Sequence, residues 1–189
     1  TMLQVHLDGD GYGTSVCSLL CAKDRGVAAR PAELVPESES HFLRRGAVAL
    51  ILYADVPLIN ATTIARILDA VGPQQIALLT LQTDNPSGYG RIVRGAEGKI
   101  ESIVEHRDAN AEQLNINEIN TGVMALGTDQ LKAWLPQINN NNAQGEYYLT
   151  DLMAIARAND FSVEGIQPTS ANEVQGVNNR VQLAELERA

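Results

Sequence analysis

The sequence predicts an α/β domain with a mixed, mostly parallel sheet, and three observations lead to that prediction. Continuous apolar runs, typical of strands that are buried on both faces, occur at 47–53 and 76–81. An amphipathic stretch with the helical period lies between them, at 61–71. Because a strand, a helix and a strand at this spacing favour a right-handed crossover, we expect a βαβ unit.

The predicted elements follow one another regularly after residue 47. Asn60 is placed to cap the first helix and Gly72 to end it. A loop rich in turn-forming residues precedes two short strands that we expect to form a hairpin. In order, the elements are strand 47–53, helix 61–71, strand 76–81, hairpin strands 91–93 and 99–104, strand 118–126, a helix capped by Thr128, helix 147–158, strand 162–167 and helix 180–188.

Composition excludes several classes of protein. Of the 189 residues, 44% are hydrophobic and 20% are charged, so the chain can bury a core. Its net charge of −9 argues against nonspecific binding to nucleic acid, since phosphate backbones attract clustered Lys and Arg. No apolar run approaches the roughly 20 residues of a membrane helix. The two cysteines cannot build a disulfide-rich secreted scaffold, so we expect a cytoplasmic protein.

Two residues far apart in the sequence carry oxygen atoms suited to a metal ion. Asp55 follows the first buried strand, where open α/β sheets bind their ligands. A carboxylate there can hold Mg²⁺, which prefers oxygen ligands and takes several of them from water and phosphate. Asn178, at the start of the last helix, offers an amide oxygen. A loop-capping Asp and a helix-capping Asn are the structural alternatives.

Three further residues carry groups that suit a sugar. Gly90 follows a buried strand and lets the backbone approach a ligand, although a tight turn into the hairpin explains it equally well. Glu105 and Asn120 lie on or beside predicted strands and can form hydrogen bonds with sugar hydroxyls or an acetamido group. Each can equally cap the end of a strand. No spacing of Ser, Cys, His and Asp predicts a covalent nucleophile.

Six segments of the second half, in this order, resemble a known family. That family is the pyrophosphorylase domain of the bacterial bifunctional enzyme that makes UDP-N-acetylglucosamine. The resemblance covers about residues 50–189 and implies a nucleotidyltransferase fold of the Rossmann-like type. The segments are LYADVPLI (52–59), NPSGYGRIVR (85–94), IVEHRDAN (103–110), EINTGVMA (118–125), NNNAQGEYYLTDL (140–152) and EVQGVNNRVQLAELER (173–188).

The resemblance implies a Mg²⁺-dependent N-acetylglucosamine-1-phosphate uridyltransferase. Such an enzyme converts UTP and N-acetylglucosamine-1-phosphate to UDP-N-acetylglucosamine and pyrophosphate, for the synthesis of peptidoglycan and lipopolysaccharide precursors. The site residues it implies are Asp55 and Asn178 as metal-binding and catalytic residues, Tyr53, Ala54 and Asp55 along the nucleotide-sugar site, Gly90, Glu105 and Asn120 around the N-acetylglucosamine, and Tyr148 and Thr150 near its acetamido group.

Residues 1–49 depart from the family. Its phosphate-binding loop carries an Arg, with a Pro-Lys pair after it, whereas here the Gly-rich run that ends at Thr14 continues with Ser15 and Val16. We therefore interpret 1–49 as an unassigned, atypical segment, for which a shifted reading frame is one hypothesis. Residues 50–178 are predicted to be the sugar- and metal-binding half of the domain, and 179–189 the start of a linker helix.

These departures leave three functions open. The first is a truncated or impaired uridyltransferase, in which the missing cations weaken the stabilisation of the transition state. The second is a non-catalytic module that binds sugar nucleotides or a protein partner. The third is a nucleotidyltransferase for another hexose-1-phosphate. We expect a homotrimer only if the family's β-helix acetyltransferase domain, which this sequence lacks, were present.

Overall fold

The computed structural model describes residues 3–8, 15–19, 46–53, 56 and 58–176, the first two segments as backbone only. These residues form an eight-stranded sheet with helices on both faces. The strands are β1 Leu3–Asp8, β2 Ser15–Leu19, β3 Val48–Tyr53, β4 Gln75–Gln82, β5 Arg91–Arg94, β6 Ile100–Val104, β7 Glu118–Gly127 and β8 Ser162–Ile166. The helices are α1 Ala61–Asp69, α2 Ala111–Leu114, α3 Thr128–Trp134 and α4 Leu152–Ala158, with 3₁₀ turns at Leu135–Gln137, Leu149–Asp151 and Ala171–Val174.

The order of the strands confirms the mixed α/β class and corrects one part of the prediction. The sheet runs β2-β1-β3-β7-β4-β8, and the β5–β6 hairpin attaches to β7. Among the described strands only β4 and β8 pair in parallel, so the prediction of a mostly parallel sheet is wrong. β3 and β4 do run in the same direction, but β7 lies between them, antiparallel to both. An apolar run indicates that a strand is buried; it does not indicate which strand lies beside it.

Most element bounds agree with the sequence prediction. The side chain of Asn60 caps α1 by accepting a hydrogen bond of 2.8 Å from Thr63 N, as predicted. The helix predicted at 147–158 instead starts as a 3₁₀ turn and becomes α-helical at Leu152. The α3 helix begins at Thr128 itself, with Gly127 in the capping position. The helix predicted at 180–188 lies outside the described residues.

Three elements were not predicted. β1 and β2 lie in residues 1–49, the segment left unassigned, and β1 pairs antiparallel with β3 along its length. The short helix α2 follows Asn110, whose side chain forms a reciprocal capping box with Gln113. The Asn-x-x-Gln spacing of that box is a signal that the sequence does contain.

Two apolar clusters bury the two faces of the sheet. On one face, β7 contributes Met124 and Leu126 to a cluster with the β5–β6 hairpin, α3 and α4. On the other face, Val123 and Ala125 pack with residues of α1. Because successive residues of a strand point to opposite faces, β7 is buried on both sides. Within the described part of the chain, no helix has the length and apolarity to cross a membrane.

Candidate functional site

The β5–β6 hairpin brings Gly90 and Glu105 together. Arg91 pairs with Val104, so the residues one step beyond that pair are neighbours. A β-carbon placed on Gly90 would lie 3.4 and 3.5 Å from the two carboxylate oxygens of Glu105 and 2.9 Å from Cγ2 of Ile103. Any larger residue would therefore have to displace Ile103. The glycine keeps the backbone close to the carboxylate. The predicted approach of a ligand to Gly90 stays a prediction.

Asn120 joins this pair from β7. Its backbone N–H donates a hydrogen bond of 2.9 Å to the carbonyl oxygen of Gly90. The residue is 8% exposed, and its side-chain Oδ1 accepts a hydrogen bond of 2.9 Å from Gly122 N. Three strands thus bring together Gly90, Glu105 and Asn120, the three residues that the sequence analysis assigned to a sugar.

A bulge in β7 shapes the backbone next to Asn120. Between the pairs Leu78–Met124 and Thr80–Asn120, β7 advances by four residues and β4 by two. Gly122 lies in this bulge with a φ of +83°, a conformation that favours glycine. Bulges commonly redirect side chains, and this one directly follows Asn120, which itself pairs with Thr80.

The ring of Tyr53 packs directly on Gly122. A β-carbon on Gly122 would lie 1.5 Å from Cε2 of Tyr53. Tyr53 is the last residue of β3 and belongs to the periphery of the apolar cluster that contains Met124. Gly122 therefore lies between Tyr53, which the sequence analysis assigned to the nucleotide-sugar site, and Asn120, which accepts a hydrogen bond from Gly122 N.

Thr150 completes a group that we call the Glu105 cluster, made of Gly90, Glu105, Asn120 and Thr150. Thr150 is buried in the 3₁₀ turn that precedes α4, and its Oγ1 donates a hydrogen bond of 3.0 Å to Oε1 of Glu105. The next residue, Asp151, is partly buried. Its burial, together with the charges of Glu105 and Asp108, raises the pKa of Asp151 above its ordinary value. The surroundings of the cluster are therefore acidic.

Tyr148 lies at the edge of the same acidic region. Its hydroxyl accepts a hydrogen bond of 2.7 Å from Nε2 of Gln144. Burial raises the pKa of Tyr148, and the negative charges of Asp108 and Glu105 raise it further. Asp108 also accepts a hydrogen bond of 2.9 Å from Ala143 N, which links the loop after β6 to the loop before Tyr148. Thr150 thus contacts Glu105 directly, while the charge of Glu105 acts on Tyr148. Their assignment to the acetamido group stays a prediction.

The predicted metal ligands Asp55 and Asn178 lie outside the described residues, as does Ala54. Their convergence therefore stays a prediction. Within the described ranges, no group of three or more His, Cys, Asp and Glu side chains is placed to hold a metal ion.

Sequence reasoning did not single out Arg91 and His106, which contact each other beside the Glu105 cluster. Nη2 of Arg91 lies 3.3 Å from Nδ1 of His106, and Nη1 donates to the carbonyl oxygen of Tyr89. Both residues stand inside the segments that carry the family resemblance. Nothing in the sequence indicates that Arg91 is buried, because arginine is usually exposed.

A second carboxylate group, the Glu118 cluster, consists of Thr80, Arg94, Glu118 and Gln167. Arg94 donates to both carboxylate oxygens of Glu118 at 2.7 Å, and Thr80 Oγ1 donates to Oε1 at 2.7 Å. Gln167 Nε2 in turn donates to Thr80 Oγ1 at 2.7 Å. Burial alone would raise the pKa of Glu118, but the hydrogen bonds from Arg94 and Thr80 and the Arg94 charge hold it below its ordinary value. Every oxygen of this carboxylate has a partner within the chain.

Comparison with known proteins supports the family resemblance. The bifunctional protein GlmU of Stutzerimonas stutzeri (strain A1501) is 56% identical over 139 residues, which cover 74% of this chain and 31% of that protein. The resemblance seen in the sequence is thereby confirmed, and this part of the chain is a homologue of GlmU. The chain spans about a third of the length of that relative.

Two other comparisons add no further assignment. A nucleotidyl transferase from Methanothermobacter thermautotroptrophicus superimposes with a TM-score of 0.48 at 16% identity, over 84% of this chain and 56% of that one. No protein-family model matches the chain.

Proposed function

We propose that the described part of the chain is the sugar-binding side of an N-acetylglucosamine-1-phosphate uridyltransferase. The observation that carries the proposal is the convergence of Gly90, Glu105 and Asn120 from three strands. The 56% identity to GlmU supports the same conclusion. The substrates would be UTP and N-acetylglucosamine-1-phosphate, the product UDP-N-acetylglucosamine, and the location the cytoplasm.

The chemical groups of the cluster are complementary to an N-acetylated sugar. Ionised Glu105 can accept hydrogen bonds from sugar hydroxyls, and among the described residues its side chain accepts one hydrogen bond, from Thr150. The side-chain amide of Asn120 has its oxygen engaged by Gly122 N, and with no partner for its N–H groups among the described residues, these groups can donate to a hydroxyl or acetamido oxygen. Gly90, which has no side chain of its own, would add a backbone N–H next to the Glu105 carboxylate. Together these groups would fix the orientation of the sugar.

The reaction needs orientation and charge neutralisation rather than a covalent nucleophile. A phosphate oxygen of the sugar phosphate attacks the α-phosphate of UTP in line, and pyrophosphate leaves. Asp55 and Asn178 supply a carboxylate and an amide oxygen, a donor set that suits Mg²⁺, and the ion when bound would neutralise phosphate charge. The role of the Glu105 cluster in this scheme is to hold the sugar so that its phosphate meets the nucleotide.

A non-catalytic sugar-nucleotide-binding module is the second candidate. It is favoured by the sequence of residues 1–49, which lacks the family's phosphate-binding Arg and Pro-Lys pair. Losing preorganised charge of this kind typically slows an enzyme by about 10²–10³-fold. The sugar site, by contrast, uses only residues after position 50.

Release of pyrophosphate from UTP and N-acetylglucosamine-1-phosphate, with and without Mg²⁺, separates the two candidates. Calorimetric binding of UDP-N-acetylglucosamine to the same preparation is measured in parallel. Slow Mg²⁺-dependent release together with binding supports the impaired uridyltransferase. Binding without release supports the module. The absence of both would overturn the sugar-site proposal.

A further inference from the structure

Arg91 is a buried cation whose charge and hydrogen-bond donors are only partly satisfied by the described residues. It is the largest fully buried side chain of the described residues and is 1% exposed. Its Nε has no hydrogen-bond partner, and none of the ion pairs found among the described residues involves it. Burying a charge in this way is costly, and an apolar residue of similar volume would avoid the cost. Residues that depart in this way from the general rule for buried charges are expected mainly at functional sites.

The two residues that the guanidinium contacts adjoin Gly90 and Glu105 in the sequence. Tyr89, whose carbonyl oxygen accepts from Nη1, directly precedes Gly90. His106, whose Nδ1 lies 3.3 Å from Nη2, directly follows Glu105. A single rigid, planar group therefore connects the loop that presents the Gly90 backbone to the end of the strand that presents the Glu105 carboxylate.

We propose that Arg91 is a positioning residue that holds Gly90 and Glu105 in register for the sugar, acting through Tyr89 and His106. This inference rests on the proposed function. Because a guanidinium only donates hydrogen bonds, Nδ1 of His106 must act as the acceptor. A residue at position 106 that keeps an acceptor should therefore preserve the connection, and one without an acceptor should break it.

Four variants test the proposal. Arg91→Met removes the guanidinium, His106→Leu removes only the acceptor, and His106→Gln keeps an acceptor. Arg66→Met is the matched control, because Arg66 also donates to a backbone carbonyl, that of Gln167 at 2.9 Å, but lies exposed on α1.

The first measurement needs no ligand. Hydrogen exchange of the Asn120 amide reports on its 2.9 Å bond to Gly90, and the Ser162 amide, bonded to Gln74 at 2.9 Å, is the remote reference. We expect Arg91→Met and His106→Leu to speed exchange at Asn120 about tenfold or more relative to Ser162, since local opening is independent of global unfolding. His106→Gln and Arg66→Met should leave the ratio unchanged. Equal acceleration at both amides would mean that Arg91 only stabilises the fold, and the proposal would be wrong.

The second measurement is the affinity for N-acetylglucosamine-1-phosphate by calorimetry. Displacing Gly90 from Glu105 should weaken binding about tenfold or more in Arg91→Met and His106→Leu, because small misplacements of binding groups are costly. Unchanged affinity in both variants overturns the proposal. If the unaltered protein does not bind the sugar phosphate, the proposed function fails, while the exchange measurement still decides the role of Arg91. If Arg91→Met does not fold, the pair His106→Leu and His106→Gln decides it.

Discussion

Glu105 and Glu118 each accept a hydrogen bond from a threonine hydroxyl, yet their surroundings are opposite. Glu118 receives two further hydrogen bonds from Arg94 and has a lowered pKa. Glu105 has Thr150 as its hydrogen-bond donor, no ion-pair partner in the described part of the chain, and the acidic neighbours Asp108 and Asp151. Glu118 is thus a structural carboxylate, whereas Glu105 is the carboxylate that would bind a ligand in the proposed function. The Glu118 cluster is complete within the chain, whereas the Glu105 cluster has capacity for hydrogen bonds that a ligand would use.

The largest expected effect comes from disrupting the support of the Glu105 cluster without changing its polar atoms. Gly122→Ala places a β-carbon 1.5 Å from the Tyr53 ring and strains a φ of +83°. We expect a loss of about 3 kcal/mol or more in the free energy of unfolding, from overpacking and backbone strain together. Urea denaturation measures it.

Gly98→Ala is the matched control for that change. Gly98 has a φ of +74° but nothing within 4 Å of the added carbon, so the variant measures only the cost of a side chain in this backbone conformation. We expect a loss of about 1 kcal/mol. Equal losses in the two variants would show that the Tyr53 contact contributes nothing.

Breaking the Glu118 cluster should also destabilise the fold. Arg94→Met leaves the buried carboxylate without its cation, and because Arg94 is partly exposed we expect a loss of about 2 kcal/mol at neutral pH. Urea denaturation again gives the value. Lys99→Met, which breaks the exposed pair with Glu97, should leave stability unchanged. If Arg94→Met leaves the free energy of unfolding unchanged, the ion pair has no net effect on stability.

The pH dependence sharpens the same prediction. Since the folded-state pKa of Glu118 is lowered, its contribution is present above the ordinary pKa of Glu, roughly 4, and is lost as the pH falls toward the lowered value. Stability curves of the unaltered protein and of Arg94→Met should therefore converge on acidification. A constant gap between the curves down to low pH would contradict the assignment.

The Glu105 cluster is tested through ligand binding, which is measured on variants that remain folded. Asn120→Ala removes the amide that would pair with the sugar, and we expect UDP-N-acetylglucosamine affinity to fall by about 1–2 kcal/mol, measured by calorimetry. Asn115→Ala, at an exposed residue after α2, should change affinity far less. Equal affinities in the two variants would remove Asn120 from the site.

The smallest expected effect has the opposite sign. Burial and the charges of Glu105 and Asp108 raise the pKa of Asp151, so its ionised form is disfavoured in the folded state at neutral pH. Asp151→Asn should therefore stabilise the protein slightly, by no more than about 0.5 kcal/mol because solvent screens a partly exposed group. The gain should disappear as the pH falls and Asp151 becomes protonated. A loss of stability at pH 7 would contradict the acidic character of this region.

The sequence by itself determined the local elements and the relationship to GlmU. The buried strand β3, the Asn60 cap of α1, β4 and the β5–β6 hairpin all follow from signals within a few residues of one another. Periodicity and capping are local physical effects, so they can be recognised without knowing the fold. The order of six motifs likewise needs no coordinates.

Only the tertiary structure decided which elements and side chains meet. It inserted β7 between β3 and β4, bent β7 at Gly122, and brought Thr150 to Glu105 across the hairpin. It also placed Arg94 against Glu118, while Glu105 has no ion-pair partner among the described residues. The reason is physical: an apolar pattern specifies that a residue is buried, while its partners depend on how all the strands pack around it.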